Sequence, residues 1–380
     1  MPWMEQNRMS LRQEVCHWAE RPDADISQLS RRYGVSRKTI YKWLKRHAAE
    51  GESGLADQSR RPHGHPQTTP PALVEQVLAV RAVYGWGGRK ISAYLRQQGV
   101  TDAPAPSTIT AILARQGTET PATRLADPPR RWQRFVADQP NDLWQLDFKA
   151  PVPVQDGTIH PLLILDDHSR FVVGLSASPN QQHDTVHAVL TAAFQRYGLP
   201  ARLLSDNGSP WGTSHQGTGA PLTRLTAWLI RLGITISHGR PYHPQTQGKV
   251  ERCNQTLGAE VLSRTALCTP AELADRFEDW RLVYNSWRPH DALDNASPLS
   301  RYRPSLRRFP AELPPLLYEP SDRLARVSAQ GVITLERRRY YISAAIPGDP
   351  VAVRPTAEPD IVAIWYGPQF VKVVDLREPW

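Results

Sequence analysis

The sequence predicts a multidomain chain: all-α helix-turn-helix units first, then a central α/β core on a mixed five-stranded sheet, then a small β-barrel. Three observations predict it. Short capped helical stretches occupy two separate runs before residue 117. From residue 141 strand-like runs give way to alternating helix and strand. Beyond residue 321 strand-like pieces recur between turns. At 380 residues the chain has room for roughly two to four domains.

The first unit, residues 1–50, begins with MSLRQEVCHWAE, which places Leu11, Val15 and Trp18 on one side of a helix. Ser27 is the expected cap of the next short helix, QLSRRY, and Gly34-Val35-Ser36 makes a turn into RKTIYKWLKRH, with Ser36 as its cap. Leu29, Val35, Ile40 and Leu44 supply an apolar interior. The polar face of the last helix carries Arg37, Lys38, Thr39, Lys42, Lys45 and Arg46, the layout of a recognition helix in a DNA major groove. Arg37, Thr39 and Lys42 lie early enough to reach base edges, whereas Lys45 and Arg46 suit phosphates.

Residues 51–70 read as a Gly/Pro/Ser/Thr-rich linker with little to bury, in which Arg60 and Arg61 can track a phosphate backbone. A second helical unit at 71–117 repeats the three-helix plan, with Arg89 and Lys90 as candidate DNA contacts. A dimerisation or spacer role is the competing reading of that unit. Residues 118–140 are a polar, Pro-rich connector.

The segment 141–298 contains LWQLDFKAPV, IHPLLILDDHSR and FVVGLSASP, read as three successive antiparallel strands. Helix QHDTVHAVLTAAFQRYG, strand ARLLSDNG, helix PLTRLTAWLIRLG, strand ITISHG and helix KVERCNQTLGAEVLSR follow, with a further helix at 271–286. Residues 299–320 form a basic, Pro-rich connector, and 321–380 supply the barrel strands. Arg337, Arg338 and Arg339 form an exposed basic run suited to sequence-independent phosphate contact or to plain solvation.

Composition narrows the partners. Lys+Arg 46 against Asp+Glu 37 gives a formal charge of +9, which favours a polyanion. Cys16, Cys253 and Cys268 form no CxxC pair, which points to a reducing compartment rather than a disulfide framework or a cysteine zinc site. No basic-then-apolar leader and no 18-residue apolar run is present, so no membrane span and no membrane partner are expected.

Three acids carry the chemistry. Asp147 lies in a strand, Asp206 at a strand end before Asn207-Gly208, and Glu251 in the first turn of a helix. Carboxylates from three elements that converge suit hard cations such as Mg²⁺. Two such ions, roughly 3.5–4 Å apart, can generate a nucleophile and stabilise a leaving oxygen at a phosphodiester. Each acid alone has an ordinary explanation: a solvent-facing strand residue, turn chemistry, a helix-surface charge. Asp166 and Asp167 form a separate acidic pair, one of which is expected to brace the turn with Arg170.

WQLDF, LDDHSR, SDNG, GRPYHPQTQGKVERCNQTL and YNSWRPH, behind a helix-turn-helix, resemble a bacterial insertion-sequence transposase of the DDE superfamily, whose core is similar to retroviral integrase. The resemblance covers nearly the whole chain. It implies a ribonuclease-H-like core, an SH3-like C-terminal barrel, and Asp147, Asp206 and Glu251 as both catalytic and metal-binding residues. It also implies Mg²⁺, two ions per site with Mn²⁺ as substitute, and double-stranded DNA partners: terminal inverted repeats and target DNA, on a homo-oligomer of at least two chains. The expected activity is hydrolysis that exposes a 3′-OH and transfer of that hydroxyl to target DNA; a non-catalytic DNA-binding regulator that keeps the fold is the alternative. His243, Gln247, Lys249 and Arg252 are expected at the DNA end, and Asn207, Gly208, Asp167, Arg170, Asn254, Tyr284 and Asn285 are expected to shape or brace the site. The 44 residues between Asp206 and Glu251 exceed the usual spacing of such cores, and WGTSHQGTGAP reads as an inserted loop.

Overall fold

The computed structural model describes residues 8–58, 68–118, 136–206, 222–238 and 248–378, in two units divided at Thr68/Thr69. The first unit packs α1 (Arg8–Ala19), α2 (Ile26–Tyr33) and α3 (Arg37–Glu50) around Val15, Leu29 and Ile40, with Val35 and Leu44 partly buried beside them. Gly34 closes α2 in the left-handed region (φ 63°), where a side chain would strain the backbone. Ser36 caps α3, its hydroxyl accepting the Thr39 N–H. The cap of α2 is Asp25 and not Ser27: the Asp25 carboxylate accepts the Ser27 N–H, and a carboxylate also answers the positive end of the helix dipole. The reading of 51–70 as linker misses a turn. Gly51–Leu55 is a 3₁₀ turn with Leu55 fully buried, and Arg12 reaches across to the Leu55 carbonyl.

In the second unit, α4 (Pro71–Tyr84), α5 (Gly88–Gln97) and α6 (Pro106–Arg115) bury Val77, Ile91, Leu95, Ile109 and Leu113. This subdomain docks on the region that follows. Val283 joins its apolar cluster, Lys90 approaches Glu260 at 3.9 Å, and Gln97 donates to the Asn295 carbonyl at 2.7 Å. Gly85 (φ 67°) lies against the Arg264 guanidinium, which a Cβ there would have to displace.

The core sheet contains β1 (Leu143–Phe148), β2 (Val152–Val154), β3 (Gly157–Asp166), β4 (Val172–Ser178), β5 (Arg202–Ser205) and β6 (Thr235–His238), interleaved with α7 (His183–Tyr197), α8 (Arg224–Arg231), α9 (Gly248–Glu260) and α10 (Pro270–Ser286). It is six-stranded rather than five-stranded, ordered β2-β3-β1-β5-β6 with β4 also paired to β3. The extra strand arises because LWQLDFKAPV is not one strand. Pro151 and Pro153 lack an N–H, and VPV pairs separately with Gly157–Ile159 of β3, one residue out of the β1 register. β1 runs antiparallel to β3 and parallel to β5, which puts it in the middle. Helices α7 and α8 cover one face through Val186, Leu190, Phe194, Leu225 and Leu229; α9 and α10 cover the other through Val250, Cys253, Leu257, Leu273 and Phe277.

The expected C-terminal barrel does not form. Strands β7 (Arg323–Arg326), β10 (Pro350–Pro355), β11 (Ile361–Tyr366) and β12 (Gln369–Asp375) make an open four-stranded sheet ordered β12-β11-β10-β7, while β8 (Val332–Leu335) and β9 (Arg338–Tyr341) pair only with each other. The apolar faces of the two ladders, Val351, Val353, Ile364 and Val371 with Ile333, Leu335 and Tyr340, bury together and against Ala227 and Ile230 of α8. Neighbouring secondary structure covers the surface that barrel closure would otherwise bury. The edges stay open, and β7 carries Arg323 and Arg326, charges that oppose strand addition.

The docking region generates a pH prediction. Burial, then the charges of Arg288, Lys90 and Arg170, push His290 down to about 3. An imidazole in the unfolded chain protonates near ~6.5. Its neutral form is therefore compatible with the fold above that value, and stability is lost as pH falls from ~6.5 toward the folded value. Urea unfolding at stepped pH should show a loss of about 1 kcal/mol per pH unit from this group between about pH 6 and 4. His290→Asn should flatten that slope.

Candidate active site

Alternation along β1 builds the site. Trp144 and Leu146 enter the cluster beneath α7 and α8. Gln145 and Asp147 therefore face the side covered by α9, because successive strand residues point to opposite faces. Strand β3 follows the same rule: Leu162 and Ile164 join the first cluster, Leu163 and Leu165 the second. The register agrees, with Asp147 opposite Leu163 and Gln145 opposite Leu165. On the other side Gln145 is level with Leu204 of β5, so the same parallel register extended by two residues brings Asp147 level with Asp206. Both lie at the C-terminal ends of parallel strands, where open α/β sheets present their crevice.

Glu251 comes from α9. Val250, Cys253 and Leu257 recur at helical spacing and dock this helix on β3. One turn after Glu251, the buried Asn254 donates from Nδ2 to Asp147 Oδ2 at 2.8 Å. Burial pushes the Asp147 carboxyl above the usual range; the Asn254 hydrogen bond opposes this, and the charges of Asp206 and Glu251 add to it. Asp147 on β1 thus feels both other acids, one at the end of β5 and one in the first turn of α9.

The donors fit a hard divalent cation in kind: three carboxylates, with the Asn254 Oδ1 beside them buried and without a hydrogen-bond partner among the described residues. Among the described residues no three His, Cys, Asp or Glu side chains stand at metal-holding spacing. Residues 207–221 and 239–247, which follow Asp206 and precede Glu251, lie outside the described residues, and with them the expected roles of Asn207, Gly208, His243 and Gln247.

The acidic pair is more deeply built in than its sequence implies. Asp166 accepts the Ser169 N–H and hydroxyl at Oδ1 and the Asn141 N–H at Oδ2, closing the β3–β4 turn, in which Arg170 adopts a positive φ of 64°. Asp167 accepts Lys249 Nζ, so the lysine expected at DNA is engaged inside the protein. Gln145, which the sequence reading passed over, donates to Asp167 Oδ1. Its signal was available: a polar residue on a buried strand, in phase with Asp147. Tyr284 is buried against Trp280 and His290, and Asn285 clamps the Val172 backbone through both ends of its amide.

The remaining predicted contacts divide by exposure. Arg37, Lys38, Lys42 and Lys45 are exposed on α3, while the Thr39 hydroxyl is hydrogen-bonded to that of Ser36. Arg46 donates to the Ala56 carbonyl, an internal use. Arg89 is exposed, but Lys90 is half-buried beside Glu260 and is pushed down to about 8 by burial first and by Arg288 second. Arg252 is exposed next to Glu251. Arg337–Arg339 are exposed at the β8–β9 hairpin, where Arg338 also donates to the Leu376 carbonyl. Arg60 and Arg61 lie outside the described residues.

A mixed sheet with acids gathered at the ends of its central strands, covered by helices on both faces, defines a catalytic-core class. Integrase core domain families match residues 137–244 and 232–298, and homeodomain-like families match 8–56 and 39–113. The chain has an integrase-core fold of the DDE superfamily with an N-terminal helix-turn-helix, related to insertion-sequence transposases and retroviral integrases. It is 29% identical over 183 residues to the Pro-Pol polyprotein of Simian foamy virus type 3 (strain LK3), covering 48% of this chain and 14% of that one. It is 28% identical over 169 residues to the transposase for insertion sequence element IS904 of Lactococcus lactis subsp. lactis (strain IL1403), covering 44% and 63%. The chain thus spans only part of the curated relatives it matches. Among solved structures, the integrase catalytic core domain of HTLV-2 in complex with magnesium (trimeric form) aligns at 15% identity and TM-score 0.34, over 43% of this chain and 98% of that one. The catalytic core domain of BIV integrase aligns at 25% identity and TM-score 0.33, over 43% and 93%.

The charges around Asp147 make a prediction. In a carboxyl-carbon NMR titration, Asp147 should protonate above the ordinary carboxylate range. Asp206→Asn removes one like charge and should move that midpoint down; an unmoved midpoint would show that the two acids do not interact.

Proposed function

We propose that this chain is a DNA transposase. It binds the terminal inverted repeats of an insertion element, hydrolyses a phosphodiester to expose a 3′-OH, and joins that hydroxyl to target DNA. The observation that carries this reading is geometric: on an integrase-core fold the β1–β5 register brings Asp147 level with Asp206, and Asn254, one turn after Glu251, hydrogen-bonds Asp147. Asp147, Asp206 and Glu251 would hold two divalent ions, Mg²⁺ with Mn²⁺ as substitute, which supply an activated nucleophile and stabilise the leaving oxygen. Asn254 orients the Asp147 carboxylate through its Nδ2 hydrogen bond. Water and then the 3′-OH serve as nucleophiles, so no covalent protein–DNA intermediate is required. The exposed Arg37, Lys38 and Lys42 face supports reading of the element end, and Arg337–Arg339 support phosphate contact. Concerted joining of two ends calls for at least two chains on the DNA, in a cytoplasmic, nucleoid-associated complex. The open spacing of the described acids favours one second reading, a DNA-binding regulator that keeps the fold without the chemistry.

Labelled element ends incubated with the full chain and Mg²⁺ or Mn²⁺ separate the two. Asp206→Asn should keep end binding and lose joining by about a hundredfold or more, since ion contacts supply several kcal/mol and ~1.4 kcal/mol is tenfold in rate. Normal joining by that variant sinks the assignment, and binding without any joining by the parent selects the regulator.

DNA recognition should divide between segments. Arg37→Ala or Lys42→Ala should cost about 1–3 kcal/mol of discrimination between correct and scrambled ends, the usual worth of a bidentate hydrogen bond to a base edge. Replacing Arg337–Arg339 with alanine should weaken binding to both DNAs and flatten the salt dependence. Competition binding at several salt concentrations reads both effects.

A further inference from the structure

Gln145 is buried at 2% exposure, on the same face of β1 as Asp147, and both ends of its amide are used. Nε2 donates to Asp167 Oδ1 at 2.7 Å, and Oε1 accepts the Val250 N–H at 3.2 Å. Val250 belongs to the first turn of α9, where backbone donors have no acceptor within the helix. Gln145 therefore caps α9 from another element. Asp167, fully buried, accepts the Ala137 N–H at 2.7 Å and Lys249 Nζ at 2.5 Å through Oδ2. Lys249 lies in the same first turn, so α9 is held twice, once by its backbone and once by a side chain. Glu251 is the next residue after this double attachment.

The physical need for such an attachment is plain. Helix ends are the parts that loosen first, and here the first turn brings Glu251 toward two other carboxylates that repel it. A buried ion pair adds little net stability, but its geometry is demanding, and removing one partner is costly. The fully hydrogen-bonded group thus selects one position for the turn.

We propose that Gln145, Asp167 and Lys249 are positioning residues, a buried latch that fixes the first turn of α9 against β1 and so sets the reach from Glu251 to Asp147 for cation binding. The proposal rests on the reading of the three acids as a cation-dependent centre. Lys249 serves DNA binding only indirectly in this arrangement, because its ammonium is held by Asp167.

The hydrogen-bond pattern supplies its own test. In the exchange variant Gln145→Glu/Asp167→Asn, the glutamate accepts the Val250 N–H and the asparagine amide, while the asparagine oxygen accepts Ala137 and Lys249. Each hydrogen bond named above keeps a donor and an acceptor, and the net charge is unchanged. Gln145→Leu breaks the pattern. With full-length protein, amide exchange at Val250–Cys253 should quicken about tenfold or more in Gln145→Leu, as expected when a buried hydrogen bond is removed. The Mn²⁺ concentration for half-saturation, read by electron paramagnetic resonance of free Mn²⁺, should rise about ten- to a hundredfold. Joining should recover to within a few fold at saturating Mn²⁺, and the exchange variant should return both measurements to near parental values.

Should Gln145→Leu fail to fold, Lys249→Gln is measured the same way with the same expectation. Unchanged amide exchange and unchanged half-saturation overturn the latch. So does a Lys249→Gln variant that loses end-DNA affinity at parental Mn²⁺ half-saturation, which would make the lysine a DNA contact. A parent protein that neither binds Mn²⁺ nor joins ends overturns the functional reading itself and, with it, the latch's role toward the cation.

Discussion

The alternation of side chains along β1 is the constraint on which the site depends. A central strand buried on both faces has no solvent side on which to place a polar group. LWQLDF nevertheless places Gln145 and Asp147 on one face, and the protein must answer both there. Asn254 answers Asp147, and Val250 with Asp167 answers Gln145. A one-residue slip of β1 against β3 would drive both groups into the apolar cluster beneath α7 and α8, away from Asn254 and Asp167. The register of the sheet and the integrity of the site are thus one requirement.

Buried polar groups recur around the sheet, each tied to backbone or side chains that the strands leave open. Asp166 collects three donors at the β3–β4 turn. Asn285 satisfies both backbone groups of Val172 at the start of β4. Arg281, nearly inaccessible, donates to Glu278 and to the Tyr197 hydroxyl, which links α10 to α7 across the end of the sheet. Such groups add little to stability once their desolvation is counted, and each is expensive to leave half-satisfied. They specify where α10 and the turn sit, and through α10 the support for α9.

The same economy engages some basic residues within the protein. Lys90 lies beside Glu260, which also accepts from Arg288 and Trp280, so the second helical subdomain meets the core at the far end of the helix that carries Glu251. Docking of that subdomain and placement of α9 therefore share an element. The C-terminal segment reaches the core differently: its two ladders bury their apolar faces together and against Ala227 and Ile230 of α8.

Much of the organisation is local and could be read from the chain. Gly34 and Ser36 mark a helix-turn-helix because a positive φ and an N-cap are short-range demands. The strand and helix order of the core follows from hydrophobic period, and the three acids could be picked out because each sits in a recognisable frame. What the sequence could not decide are the facts that depend on partners distant in the chain. The cap of α2 turned on whether Asp25 or Ser27 reached the helix N-terminus. VPV pairs separately with β3, one residue out of the β1 register. The two C-terminal ladders bury their apolar faces together and against α8. That Asp167, 82 residues away in sequence, pairs with Lys249, and that Gln145 accepts the Val250 N–H, could not be read from the chain. Periodicity and caps are written in neighbouring residues, whereas a buried hydrogen bond between elements exists only once the sheet register and helix packing have chosen its partner.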